Sequence, residues 1–270
     1  MLTNLKFVSV KKVYILIVAC FLLSLFSKLS SQTLVNTEKF EFLNDKKYSL
    51  GAELTYDGSF GNSDVHELSS SLFFGYKFKK KNLLRLMGGL VFLSEEKEEI
   101  QNDGYLQLRY NYIISPIFRT FHFYQIQHNI TILLERRDLL GSGIRITVFP
   151  KDSTLVKMYV GIGAMYETEK LLPDMIGPDD KVNSYLFRMA NYFSFRYDIT
   201  PRIKLLDIVY YQPAFNDFTD YRLLNEFSMV FSFTEKFLFQ FSFSYRRDSK
   251  PPSTLEKEDW NIFSGIIVNL

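Results

Sequence analysis

The residues with most chemistry to offer are charged side chains placed in the middle of segments that otherwise alternate apolar and polar. Arg85, Arg109, Arg145, Lys157, Arg188, Arg196 and Arg246 fall on the polar face of such segments, as do Glu53, Glu167, Asp207 and Glu226. Gln107, Gln125, Gln127 and Gln240 accompany them as neutral partners. If the apolar face points outward, all of these line an interior. Rings of arginine lower the barrier to negative solutes and would give a weakly anion-favouring pore. Alternatively, acids and arginines pair across the interior and close it, each guanidinium fork satisfying a carboxylate. Buried ions persist mostly when paired, so pairing is the preferred reading. On it, Arg109, Arg145 and Arg188 should find inward acids, with Glu167 and Glu226 the first candidates.

Catalysis finds less support. The available imidazoles are His66, His122 and His128, and no His-x-Ser or Gly-x-Ser-x-Gly arrangement accompanies them. His122 shares its face with Phe118, Tyr124 and Ile126, which places it among outward side chains. No enzyme is expected. Metal sites fare no better, because no His pair has ligand spacing and the lone cysteine, Cys20, lies in the leader described next. The run Pro173–Asp180 carries Asp174, Asp179 and Asp180, too few oxygen ligands for calcium and better read as a solvated loop. No cofactor is expected.

The first residues set the compartment in which these groups must work. Lys6, Lys11 and Lys12 precede an apolar run from Val13 to Phe26, and Ser27-Lys28-Leu29-Ser30-Ser31-Gln32 follows it. That order reads as an export signal over 1–31, cut near Ser31. The run is shorter than the ~20 residues that cross a bilayer as a helix. Cys20 sits in a loose lipoprotein-like box, but Phe21-Leu22-Leu23 continues the apolar run, so it reads as filler. Removing the four leader lysines turns a net charge of +2 into −2. A chain so balanced lacks the basic face of a nucleic-acid binder.

Beyond Tyr48 the dominant pattern has period two. Phe237-Leu238-Phe239-Gln240-Phe241-Ser242-Phe243-Ser244-Tyr245-Arg246 is its clearest instance. With 27 Phe and 17 Tyr, the composition favours strands. Short turns are expected at Lys79–Lys81, Ser115-Pro116, Lys151–Ser153, Thr200-Pro201 and Thr234–Lys236. Longer polar loops are expected at Asp57–Val65, Glu95–Asp103, near Arg136–Gly141, and at Glu167–Asn183, Phe215–Asp220 and Asp248–Asp259. Five turns alternating with six loops imply about twelve strands, with both ends of the chain on the short-turn side. The fold class is all-β, a single antiparallel transmembrane β-barrel over 32–270, with short periplasmic turns and longer external loops. Residues 32–46 form an N-terminal segment of periplasmic or lumenal placement. A soluble sandwich shows the same alternation turned inside out. Against it stand the strand lengths and the segregation of long and short connections. Gly51, Gly75, Gly89, Gly161, Gly163 and Gly265 also mostly share the charged face, where they would leave room for an arginine opposite.

Several motifs occur in a recognisable order. They are Gly104-Tyr105-Leu106-Gln107-Leu108-Arg109-Tyr110-Asn111-Tyr112, Phe123-Tyr124-Gln125-Ile126-Gln127-His128-Asn129, Arg136-Arg137-Asp138-Leu139-Leu140-Gly141-Ser142-Gly143-Ile144-Arg145 and Gly161-Ile162-Gly163-Ala164-Met165-Tyr166-Glu167. Asp220-Tyr221-Arg222 and Arg247-Asp248-Ser249-Lys250-Pro251-Pro252 follow. Over residues 104 to 252 the chain resembles the salt-induced outer-membrane protein family, catalogued as domain of unknown function 481. The resemblance implies an exported barrel and no particular activity. The chain ends in Leu270, where many outer-membrane proteins end in an aromatic residue. The expected function is a narrow channel for small, anion-leaning solutes, or else a closed barrel with a structural or surface-binding role. A lipid enzyme is a minor third reading. Expected partners are the lipid bilayer, small solutes and the barrel-insertion machinery, with no nucleic acid and a monomer as the unit.

Overall fold

A computed structural model describes residues 47–59, 65–95, 98–149 and 155–269. The expected leader, the segment 32–46 and the Lys151–Ser153 turn lie outside the described residues, as does the side chain of His66. Alternation of apolar and polar residues gives thirteen strand segments. These are β1 (Tyr48–Ser59), β2 (Val65–Phe78), β3 (Asn82–Glu95), β4 (Glu98–Ile113) and β5 (Phe118–Asn129). After them come β6 (Leu134–Thr147), β7 (Val156–Leu171), β8 (Asn183–Met189), β9 (Asn191–Thr200) and β10 (Ile203–Ala214). The chain closes with β11 (Asp217–Ser232), β12 (Phe237–Asp248) and β13 (Glu258–Asn269).

β8 and β9 are one strand in all but name. Met189 pairs with Ala164 and Tyr192 with Gly161, and the Ala190 amide donates to the Gly163 carbonyl at 2.8 Å, so the ladder to β7 runs through unbroken. Thirteen segments therefore fill twelve positions, each paired antiparallel with its sequence neighbours. β13 returns to β1 through Gly51↔Asn269 to Thr55↔Gly265, which leaves no open edge. The twelve-strand antiparallel barrel expected from the turns and loops is what forms.

Inside and outside follow strand parity. On β12, Leu238, Gln240, Ser242, Ser244, Arg246 and Asp248 are buried, whereas Phe237 through Tyr245 on the alternate positions face out. Outward positions elsewhere expose Leu54, Leu72, Leu90, Leu140, Ile162 and Phe187, the apolar band that lipid requires. β4, β7 and β11 are 16 residues long, beyond the ~9–11 that a tilted strand needs to cross hydrocarbon.

One expected loop is a strand. Arg136–Gly141 lies within β6, and the chain reverses earlier, through a 3-10 turn at Ile130–Ile132. The charges that suggest a loop are absorbed by parity: Arg137 turns inward and is buried, while Arg136 and Asp138 pair with each other outside. The turn is held locally. Asn129 Oδ1 accepts from the Ile132 amide at 3.1 Å, and Leu133 takes a left-handed φ of 56°. The hairpins β3–β4 and β10–β11 also extend into stretches expected as loops, β4 starting at Glu98 and β11 at Asp217.

Gly161 stands opposite Arg145 as expected, and the inward glycines of β6 and β7 also make room for aromatic rings. A Cβ on Gly161 would stand 2.0 Å from Tyr192 Cε1, and one on Gly141 would stand 2.3 Å from Phe123 Cζ. Gly143 is less forgiving, since its Cβ would meet backbone, the Ile162 carbonyl oxygen at 2.4 Å and Gly163 Cα at 2.7 Å. Backbone cannot swing aside as a side chain can. Gly143→Ala should cost about 1–3 kcal/mol, read as a lower urea midpoint for unfolding from lipid vesicles. An unchanged midpoint would show that β6 and β7 part at little cost.

Candidate functional site

The lumen is built in four parts, each set by which strands contribute and at what height. Toward the external end, β6, β7, β8, β11 and β12 project a continuous ionic network. Glu167, 1 % exposed, lies 3.0 Å from Arg188 Nε, also accepts from Arg222 Nη1, and has Arg137 Nε at 3.8 Å. Glu169 accepts from Arg137 Nε at 2.8 Å and from Arg222 Nη2 at 2.9 Å. Arg222 Nε reaches Asp248 at 2.9 Å, and Arg188 Nη1 reaches Asp220 at 2.8 Å. Arg246 stands 3.7 Å from Asp259. Each guanidinium thus bridges two or more strands, which is how forked donors cross-brace a wall.

At mid-height, the β5–β11 side is filled by an apolar cluster that includes Phe121, Phe123, Leu139, Met165, Tyr192 and Tyr210. Arg109 lies over the rings of Phe121 and Tyr192, at 4.9 and 5.8 Å from their centroids. Arg145 lies 3.6 Å from the centroid of Tyr159. Both arginines thus meet ring faces, a cation–π contact that the expectation of inward acids did not include. The Arg188–Glu167 pairing forms as expected.

Below the cluster, toward the short turns, cations gather. Arg85 is directly opposite Arg109 across β3 and β4, and Arg119 opposite Arg145 across β5 and β6. Arg196 is held by Asp198 at 2.7 Å, and Lys157, its cross-strand neighbour, is exposed at the mouth.

The fourth part is a chamber of about 110 Å³ on the β1–β5 and β11–β13 side. Glu53, Glu67, Asp103 and Glu226 line it together with Thr55, Ser71, Ser244 and Asn261. Ser71 Oγ donates to Glu53 Oε2 at 3.1 Å, and the Ile130 amide donates to Asp103 Oδ1 at 2.7 Å. A short amide ladder adjoins it, Gln107 donating to Gln125 at 2.8 Å and Gln125 to Gln127 at 2.6 Å.

Asp207 is not a lumen residue. Leu206, Ile208 and Tyr210 are the buried positions of β10, so Asp207 faces outward and accepts from Asn225 Nδ2 at 2.7 Å. β10 is apolar on both faces, and its one acid gave a false parity. Conversely Arg137, Glu169, Asp220, Arg222 and Asp248 belong to the network, although all but Arg222, two residues past one of them, sit in stretches that read as loop. Continuing the alternation would have found them: Glu169 follows Glu167 at two residues, and Arg222 precedes Leu224, Glu226 and Ser228 in the same phase.

A second polar pair also needs the register to be seen. His122 and Ser142 are opposite one another on β5 and β6, with Ser142 Oγ 2.9 Å from His122 Nδ1. Both face outward, in a groove bordered by Leu108, Tyr124, Leu140 and Tyr166, and Tyr110 stacks against the imidazole at 6.0 Å.

Two external loops meet over the mouth. The Asp180 carboxylate accepts from the Ser253 amide and hydroxyl, both at 2.9 Å, and from the Gly177 amide at 2.9 Å. Ile176 and Leu255 pack on Ile132, Leu134 and Leu171. Donation from the Ser253 backbone holds the Asp180 carboxyl below its ordinary range. A lowered pKa means the latch is fully formed above the ordinary aspartate pKa and loosens only as pH falls through the depressed one. Asp180→Ala should free loop 249–257 at neutral pH, read as faster proteolytic nicking near Ser253; equal rates would show that apolar packing alone holds it.

A family model described as protein of unknown function, DUF481, matches residues 52–269. The chain belongs to the DUF481 family. No curated relative matches its sequence at a significant level. Among solved structures, an outer-membrane channel from Pseudomonas putida F1 is similar at TM-score 0.54 and 10% identity, over 88% of this chain and 100% of that one. The NanC porin gives TM-score 0.49 and 9% identity over 82% of this chain and 98% of its own. The KdgM porin gives 0.47 and 8% over 83% and 99%. At these identities the likeness is one of fold alone, and the fold it shows for this DUF481 chain is a closed antiparallel β-barrel.

Proposed function

We propose that this DUF481 barrel is a narrow channel for small polar solutes. What carries the reading is the polar chamber: the barrel is filled by rings at mid-height on one side, while the β1–β5 side keeps space lined by hydroxyls, amides and carboxylates. A purely structural barrel has no need of a polar void beside a packed core. What favours the finer expectation of an anion leaning is the short-turn end, where Arg85 stands opposite Arg109 and Arg119 opposite Arg145. The arginines of the external network are committed to carboxylates and give little net field.

The enzyme reading would need the His122–Ser142 pair to act on lipid. A nucleophile of that kind also needs a group orienting the imidazole and free donors for an oxyanion. The β6 backbone around Ser142 is engaged in ladders to both β5 and β7, which leaves no such donors there. The pair is better read as two outward polar groups satisfying one another in lipid. Planar bilayers test the channel reading. Discrete conductance steps in potassium chloride are the expected result, and silence at high protein load would favour the closed barrel.

A further inference from the structure

Asp207 is a carboxylate on the face that meets lipid. Its register neighbours are Phe195 on β9 and Phe227 on β11, and Leu205 and Val209 flank it on β10. Among the described residues the group that meets it is Asn225 Nδ2, a neutral donor on Oδ1, so its charge has no ionic partner within the barrel. Acids at membrane depth pair with other polar groups, because hydrocarbon offers none. A second outward site holds a matching donor. Ser142 Oγ meets His122 Nδ1 and Tyr110 stacks on the ring, while Nε2 meets no partner among the described residues. With the serine hydroxyl donating to Nδ1, Nε2 carries the ring hydrogen. The imidazole lines an outward groove of about 520 Å³ walled by Leu108, Tyr124, Leu140, Tyr166 and Phe187.

The two sites stand at one depth. His122 is the fourth residue after Phe118, where β5 leaves its short turn, and Asp207 is the fourth after Ile203, where β10 leaves its own. At ~3.3 Å per residue both lie about 13 Å along strands that share one tilt. Within one barrel they cannot meet, since β7 and the β8–β9 strand separate β5–β6 from β10–β11, a third of the way round the wall. Between copies in the same orientation they can. We infer that the barrel associates with further copies of itself in the membrane plane, His122 Nε2 of one copy donating to Asp207 of the next, with Phe195 and Phe227 entering the groove beside it. Donor and acceptor lie on different patches, so the contact is heterologous and continues from copy to copy. On this inference the unit in the membrane is an assembly, where the sequence led to a monomer.

Cross-linking between copies in lipid vesicles tests it. Leu140→Cys and Val209→Cys, in a Cys20→Ser background, each place one outward thiol two residues beyond its polar site toward the external end. Oxidised with copper phenanthroline, the double variant should give a ladder of dimers, trimers and higher species, and each single variant only traces. His122→Phe in the double-cysteine barrel should lower the cross-linked fraction roughly tenfold, the effect of losing a hydrogen bond to a charged group. Exchanging the two groups, His122→Asp with Asp207→His, should restore the ladder that either change alone removes. That recovery keeps the test decisive if His122→Phe folds poorly. Monomers throughout would leave both sites to lipid and overturn the inference. Dimers formed as readily from one cysteine as from two, a ladder indifferent to His122→Phe, or an exchange no better than its single changes would overturn it equally.

Discussion

Glu167→Gln should lower the unfolding free energy of the barrel by about 3–5 kcal/mol, the cost of breaking a buried ion pair from one side. Glu167 is the point at which β7 engages β6, β8 and β11 together, through Arg137, Arg188 and Arg222. Removing its charge leaves Glu169, Asp220 and Asp248 to compensate three guanidinium groups that remain buried. An unpaired buried ion must be solvated, so water should enter the external half of the lumen. Two readouts follow from one substitution: a lower urea midpoint in vesicles, and a larger or noisier single-channel current. A variant with the parent's midpoint would mean that the remaining acids suffice and Glu167 is not the hub. The reciprocal change, Glu167→Asp, keeps the charge and should recover most of the lost stability.

The second large effect concerns the outside. Phe241→Arg places a charge on the outward face of β12, between Met229 on β11 and Ser264 on β13. Arginine at the bilayer midplane of a barrel costs about 2–4 kcal/mol, falling toward zero near the interfaces. The variant should insert into vesicles with a lower yield and unfold at lower urea, and the same substitution at Phe237, near the short turns, should cost less. Equal penalties at the two positions would remove the membrane from the explanation.

How far the sequence could be read depends on how different the two faces of a strand are. On β12, five aromatic residues oppose serine, glutamine and arginine, and parity, pairing and facing all follow. On β10 both faces are apolar, so a single acid decided the reading, and Asp207 was placed on the wrong side. Strand ends failed for another reason. Arg137, Glu169 and Arg222 are charged because they enter an ionic network, yet isolated charge near a hairpin looks the same as solvation. The partners of Arg109 and Arg145 were hidden because a ring can neutralise nothing on paper, although its face attracts a guanidinium in space. The His122–Ser142 contact joins residues 20 apart in sequence and depends wholly on register.

The lumen wall formed by β1 to β4 changes sign along its length. Glu53, Glu67 and Asp103 occupy its external half, and Arg85 and Arg109 its short-turn half. Two oppositely charged segments in series behave as a junction diode does. Under one voltage polarity mobile ions of both signs are driven toward the boundary and accumulate, which raises the current. Under the other they are drawn away from it, and the boundary is depleted. In a conducting barrel, current along that wall would rectify in proportion to the charge that each segment's own partners leave uncancelled, and the asymmetry would shrink as salt shortens the screening length from about 10 Å at 0.1 M to about 3 Å at 1 M.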